Sequence, residues 1–164
     1  MPIKLVQNPD GTMQCELPSD LSLAKQVVDA LVDVVRQVCQ FLDKEIRDVH
    51  LALEEAIVNA IKHGNKLERE KMVRISGRIK KQRCEFRIVD EGPGYNPEEV
   101  PDPLADENLT KPSGRGLFFM RHYMSNVTVE PPGNAVSMVK IPKSEATSPE
   151  KTAESPLHAQ DLPA

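Results

Sequence analysis

The sequence is poor in aromatic residues, with no Trp, two Tyr and four Phe among 164 residues. Six scattered rings offer no stacking platform for a single-stranded nucleic acid. Cysteine is scarce too: Cys15, Cys39 and Cys84 are odd in number and far apart in the chain. No CxxC pair or Cys/His cluster suggests a zinc site or a disulfide framework, so reduced thiols in a cytoplasmic protein are expected. No run approaches the roughly 20 apolar residues of a membrane-spanning helix. The opening MPIKLVQNPDGTMQCE holds no apolar signal-peptide segment, so neither export nor a membrane partner is expected. An excess of positive charge is also missing. The chain carries 21 Lys and Arg against 25 Asp and Glu, a formal net charge of −4. That sign argues against direct nucleic-acid binding. There is no internal repeat.

Proline is absent from the middle of the chain. None of the 14 prolines lies between Ser19 and Gly92, five fall from Pro93 to Pro112, and three fall in the last sixteen residues. Proline removes a backbone donor and fixes φ, so it is kept out of helix interiors and central strands. The chain therefore divides into a regular middle, a long irregular excursion and a loose tail. Collagen-like, coiled-coil and wholly disordered readings are excluded, and one globular domain is expected.

Residues 1–18 are turn-rich (Asn8-Pro9-Asp10-Gly11), with one edge strand near Met13–Leu17. Ser19 or Asp20 suits an N-cap. Ala24, Val27, Val28, Leu31, Val35, Val38, Cys39 and Leu42 then repeat at amphipathic-helix spacing. A second helix is predicted from about Lys44 to His63, with Gly64 as its stop. Its apolar face is Ile46, Val49, Leu53, Ala56, Ile57 and Ala60, while Glu55, Asn59, Lys62 and His63 fall opposite. Met72–Lys80 and Arg83–Asp90 alternate apolar and polar residues and read as paired strands. Residues 95–113 lack periodicity, as a functional lid does. A short helix Leu117–Met124 and a hairpin around Pro131-Pro132-Gly133-Asn134 complete the ordered part. The order predicts an α+β fold, a two-layer sandwich with helices on one face of a mostly antiparallel sheet. Residues 1–142 would form the domain. Residues 143–164, rich in Ser, Thr, Pro, Glu and Ala, would form a disordered tail.

Three local features bear chemistry. Glu55 and Asn59 lie one helical turn apart; a carboxylate can act as general base, and an amide oxygen is a hard donor suited to Mg²⁺. Asp90-x-Gly92-x-Gly94 ends a strand, where glycines allow close approach and the carboxylate can accept from an exocyclic amine. Ser113-Gly114-Arg115-Gly116 opens a helix, whose free N–H groups and positive end suit phosphate. Each is weak alone.

In this order and on these elements the three resemble the N, G1 and G2 boxes of the Bergerat ATP-binding fold (the GHKL, histidine-kinase-like ATPase superfamily). The wording of LALEEAIVNAIKHGN, FRIVDEGPGYNPEEVPDP and KPSGRGLFFMRHYMSNVTVE is similar to the small stand-alone branch, the bacterial anti-sigma-factor serine/threonine kinases. The resemblance spans roughly Leu17 to Pro142, and beside an ordered start a fragment of a sensor histidine kinase, which needs a dimerisation helix pair, is the less expected reading. It implies Glu55 as the base that activates an acceptor hydroxyl and Asn59 as the holder of Mg²⁺ on the phosphates. Lys62 and His63 would flank that site. Asp90 would accept from the adenine amino group, with Gly92 and Gly94 shaping the pocket floor. Residues 95–113 would be the ATP lid, and Lys111, Ser113, Gly114, Arg115, Gly116 and Leu117 would meet the phosphates. It also implies ATP and Mg²⁺ as cofactors, a sigma factor and a small anti-sigma-factor antagonist as partners, and a homodimer.

The sequence departs from that branch in two places. Some active relatives place an arginine directly before the Ser-Gly of the third box; here that position is Pro112, with Lys111 one residue earlier and Arg115 as the other candidate replacement. Relatives often carry a Thr near adenine in the last strands; here Ser137 is the hydroxyl expected nearby. The first departure keeps open an alternative, a non-catalytic ATP-binding module whose lid gates a protein surface.

Other features have structural readings. His50 and His122 are expected at the surface or in helix packing, and Phe118, Phe119 and Met120 in the core. Residues 66–87 carry nine basic and three acidic side chains, a net of +6. A solvated sheet face explains them, with docking of an acidic partner as the lesser reading.

Overall fold

The computed structural model describes residues 3–95 and 112–142, with residues 112–115 described by backbone alone. Most of the expected lid and the whole expected tail, Lys111 included, lie outside the described residues. The elements run β1 (Lys4–Gln7), β2 (Thr12–Pro18), α1 (Leu21–Val38), α2 (Asp43–Asn59), a π-helical turn (Ala60–Gly64), β3 (Met72–Lys80), β4 (Arg83–Val89), α3 (Pro112–Tyr123), β5 (Asn126–Glu130) and β6 (Ala135–Lys140).

Six strands form one sheet in the order β1-β2-β3-β4-β6-β5, every pair antiparallel. Alternation selects its core face: Met13, Cys15 and Leu17 of β2, Val73, Ile75 and Ile79 of β3, and Cys84, Phe86 and Ile88 of β4 are all buried. Gly77 lies between Met13 and Phe86. A Cβ there would sit 3.0 Å from the Met13 side chain and 3.2 Å from the Phe86 ring. Its missing side chain makes room for Phe86, whose full burial contributes about 1.5–3 kcal/mol.

The helices supply the second layer. Ala24, Val27, Val28, Leu31, Val32 and Val35 form the buried stripe of α1. Ile46, Val49, Ala52, Leu53, Ala56 and Ile57 do the same for α2, and the stripes join the sheet in one core. Asp20 caps α1, its carboxylate accepting from the Ser22 N–H at 2.9 Å. Lys140 on β6 ties the layers, its Nζ 3.2 Å from the Asp48 carboxylate of α2 and bonded to the Tyr123 carbonyl of α3.

The structure departs from the sequence reading in four respects. The strand expected at the edge near Met13–Leu17 lies one place in, because β1 pairs outside it, Leu5 opposite Cys15. The second helix ends as a regular α-helix at Asn59 and widens by one residue over Ala60–Gly64, where the Asn65 N–H bonds the Ala60 carbonyl at 2.8 Å. Residues 112–116 already belong to the third helix. Phe118 and Phe119 are 37% and 38% exposed, because Leu117, Met120 and Met124 carry the buried stripe there.

Three arginines of the basic run are paired within the sheet. Arg74 pairs with Glu16 of β2 at 2.8 Å, Arg83 with Glu85 at 2.7 Å, and Arg87 with Glu130 of β5 at 2.8 Å. Glu16 and Glu130, which lie outside residues 66–87, offset part of that segment's net of +6, which favours the solvated-face reading.

Candidate functional site

A cleft of about 320 Å³ opens between the end of α2, the end of β4, α3 and the β5–β6 turn. Asn59, His63, Asp90 and Gly94 line it, so residues predicted from two separate motifs meet on one wall system. Gly116 brings in the third motif. A Cβ on Gly116 would lie 2.2 Å from the Asn59 amide nitrogen, so only glycine lets α3 approach Asn59 this closely. The Asn59 amide also carries an oxygen at the cleft wall, a neutral hard donor of the kind Mg²⁺ takes.

Asp90 directly follows β4 at the cleft floor. Its backbone N–H bonds the Asn134 carbonyl at 2.9 Å, and the Asn134 side-chain amide donates to the Asp90 carbonyl at 3.0 Å. Its carboxylate accepts from the Gly92 N–H at 2.7 Å. Burial raises the Asp90 pKa, and that hydrogen bond opposes the rise. Behind the carboxylate stands Gly64, where a Cβ would fall 2.3 Å from the Asp90 carboxyl carbon. A Cβ on Gly92 would fall 2.2 Å from the Gly64 carbonyl oxygen. Gly94, at φ +81°, would meet the Pro132 carbonyl at 2.3 Å. The floor is thus packed backbone on backbone, and the glycines of the second motif are sterically required.

The cleft becomes apolar away from Asp90. Ala56, Ile88, Met120, Val129 and Val136 line it, a surface suited to a planar heteroaromatic ring. Ser137, the hydroxyl considered for this region, does not line the cleft. It lies opposite Arg87 in the sheet, and its Oγ donates to the Glu130 carboxylate at 2.6 Å.

Glu55 sits one turn before Asn59, half-buried. Burial raises its carboxyl pKa, the neighbouring Glu54 raises it further, and Lys62 opposes both. Lys62 is exposed and, like Glu55, stands outside the cleft lining. The His63 pKa is lowered by burial and by the nearby charges of Lys62 and Lys66. Ser113, Gly114 and Arg115 occupy the first turn of α3 by backbone. The Leu117 side chain is buried in the core at 5% exposure, which leaves only its backbone to meet a ligand.

Sequence reasoning missed several lining residues. Lys66 reaches the cleft from a left-handed turn, at φ 53°. Gly133 and Asn134 come from the β5–β6 turn, interlocked with the β4 end, where Tyr95, the first residue of the expected lid, joins them. The Pro-Pro-Gly-Asn turn was visible, but its contact with the Asp90 strand is a tertiary fact. Gly64 was visible as a helix stop, and its role against Asp90 was not.

The chain is similar to known proteins. The family model of the histidine kinase-like ATPase domain matches residues 17–140. The "Serine-protein kinase RsbW" of Staphylococcus aureus is 31% identical over 109 residues, covering 62% of this chain and 69% of that protein. An "Anti-sigma F factor" of Clostridium beijerinckii is 33% identical over 99 residues, covering 58% and 68%. Another from Clostridium acetobutylicum is 36% identical over 90 residues, covering 53% and 62%. The matched span runs from the end of β2 to the end of β6 and so encloses the whole cleft: the chain belongs to the histidine kinase-like ATPase family.

Proposed function

We propose that the chain is an ATP-dependent protein serine/threonine kinase that also acts as an anti-sigma factor. It binds a sigma factor in one partner state and phosphorylates a small anti-sigma-factor antagonist in the other. The observation that carries this reading is that Asn59 and Asp90 line one cleft with an apolar interior while Gly116, 57 positions after Asn59 in sequence, packs against the Asn59 side chain. The similarity to proteins named serine-protein kinase and anti-sigma F factor supports the choice of acceptor and partner.

In this reading the Asp90 carboxylate accepts from the adenine amino group, and the apolar walls hold the ring. Asn59 would hold Mg²⁺, which when bound neutralises the phosphate charge. The backbone of Ser113, Gly114, Arg115, Gly116 and Leu117 meets the phosphates, with Lys111, Lys62 and His63 near them. Glu55 takes the proton from the acceptor hydroxyl of the antagonist as the oxygen attacks the γ-phosphorus and the bond to ADP breaks. Phosphoryl transfer depends mainly on positioning and charge neutralisation, and a raised carboxyl pKa makes Glu55 the stronger base. Its place just outside the cleft lining suits a group that faces a second protein.

Glu55→Gln tests the assignment. Phosphoryl transfer from γ-labelled ATP to the cognate antagonist should fall about 10²–10⁴-fold, with ATP affinity within about threefold of the parent. Transfer at the parental rate refutes the base. A second reading, a non-catalytic ATP-gated binding module, draws on Pro112 as the first residue of α3. It predicts nucleotide-dependent antagonist binding with no label transferred in the parent protein.

A further inference from the structure

Asn65 takes no part in the function proposed above, yet it is fully buried, at 0% exposure, directly after Gly64. Its side chain uses both donors and an acceptor lone pair. Nδ2 donates to the Ser19 hydroxyl at 2.8 Å and to the Met72 carbonyl at 3.0 Å. Oδ1 accepts from the Glu91 N–H at 2.7 Å. The Glu91 carboxylate in turn accepts from the Met72 N–H. Asn65, Met72 and Glu91 therefore close a hydrogen-bonded ring that joins the π turn, the start of β3 and the residue after Asp90. Ser19, itself 1% exposed, anchors the ring by donating to the Lys71 carbonyl at 2.7 Å. Of the common side chains, only a primary amide supplies two donors and an acceptor at this point; a carboxylate supplies no donor.

The ring grips both sides of Asp90. Asn65 follows Gly64, whose backbone abuts the Asp90 carboxylate, and Glu91 precedes Gly92, whose N–H bonds it at 2.7 Å. There is no slack between these parts: an added Cβ on either glycine would lie within 2.3 Å of its neighbour. We propose that the Asn65–Met72–Glu91 ring is a positioning device that sets the direction of the Asp90 carboxylate and thereby the choice of purine base. The inference rests on the adenine-accepting role given to Asp90. A carboxylate held in one direction accepts from the 6-amino group of adenine and is repelled by the 6-oxo group of guanine. A carboxylate free to turn discriminates less.

The test is the ratio of ATP to GTP affinity, measured by calorimetry on the full chain. Loss of folded protein lowers both affinities equally and leaves the ratio alone, so the ratio isolates positioning from stability. In Glu91→Ala and Asn65→Ala the ratio should narrow about tenfold. Glu91→Gln, whose amide oxygen still accepts from Met72, should keep the parental ratio. Glu91 is exposed, so Glu91→Ala carries the test if Asn65→Ala does not fold. Asp90→Asn separates the two levels of the argument. A parent without ATP preference, or an Asp90→Asn variant that keeps it, overturns the Asp90 role and the ring's role with it. Loss of preference in Asp90→Asn with an unchanged ratio in Glu91→Ala overturns the ring alone.

Discussion

Gly64→Ala is the sharpest test of the cleft floor, because local and tertiary effects have opposite signs there. Gly64 lies in a helical turn, and no left-handed φ is recorded for it. In an unobstructed helical position the change from Gly to Ala adds about 0.5–1 kcal/mol of stability. Here the new methyl would fall 2.3 Å from the Asp90 carboxyl carbon, and ordinary contact begins at 3.4 Å. The carboxylate must retreat by about 1 Å, through a floor already closed by Gly92. That movement breaks the 2.7 Å bond from the Gly92 N–H, a bond to a charged group worth about 1.5–3 kcal/mol. The same displacement takes the carboxylate away from the base, so nucleotide affinity should fall about 10–100-fold. Thermal unfolding without nucleotide and calorimetric titration with ATP read the two effects separately. The expected result is a lower melting temperature and weaker binding. A raised melting temperature with parental affinity would refute the packing of Gly64 on Asp90.

Three further outcomes follow from the same contacts. Glu55 must be ionised to act as base, and its pKa is raised by burial and Glu54. Transfer should therefore fail as pH drops through a value above the ordinary 4.5; Glu54→Gln should move that limb down in pH and Lys62→Met should move it up, read from transfer rates across pH. Lys140→Met leaves the Asp48 carboxylate, 19% exposed, without its 3.2 Å partner. It should cost about 1–3 kcal/mol and lower the melting temperature by several degrees, part of which Asp48→Leu in the same chain recovers. Burial pushes the Cys15 thiol up to about 11, so at pH 8 a disulfide-exchange reagent should label Cys15 slowly in the native protein and rapidly in guanidinium.

Much of the fold was legible because burial imposes period. The two long helices and the β3–β4 pair each carry an apolar rhythm, and the structure buries most of those residues; Val38 and Leu42, where α1 ends and α2 begins, are exposed. β1 was illegible for the converse reason. Its four residues lie on an edge, largely exposed, and only pairing with β2 defines it. The π turn escaped because a glycine after a helix reads as a stop whatever the hydrogen-bond register before it. Phe118 and Phe119 misled because an apolar pair on a helix must split between faces, and composition does not say which neighbours take the stripe. For the candidate site, the side chains were legible as motifs and their convergence was not. Nothing in the spacing of Asn59 and Gly116 requires the 2.2 Å approach. Nor does any motif announce Asn65, whose partners Ser19, Met72 and Glu91 come from three segments.

The widened turn at Ala60–Gly64 has a consequence for how this segment tolerates change. A regular α-helix advances about 100° per residue, and the turn places Gly64 and Asn65 one residue later than such a helix would. Removing any one residue from the turn would restore better helical geometry locally while swinging both residues by that angle away from Asp90 and Glu91. Folding should therefore tolerate many substitutions at the exposed position Lys62 but no deletion there. A mutational scan that includes single-residue deletions would show a sharp asymmetry here, with length, and not chemistry, as the guarded quantity.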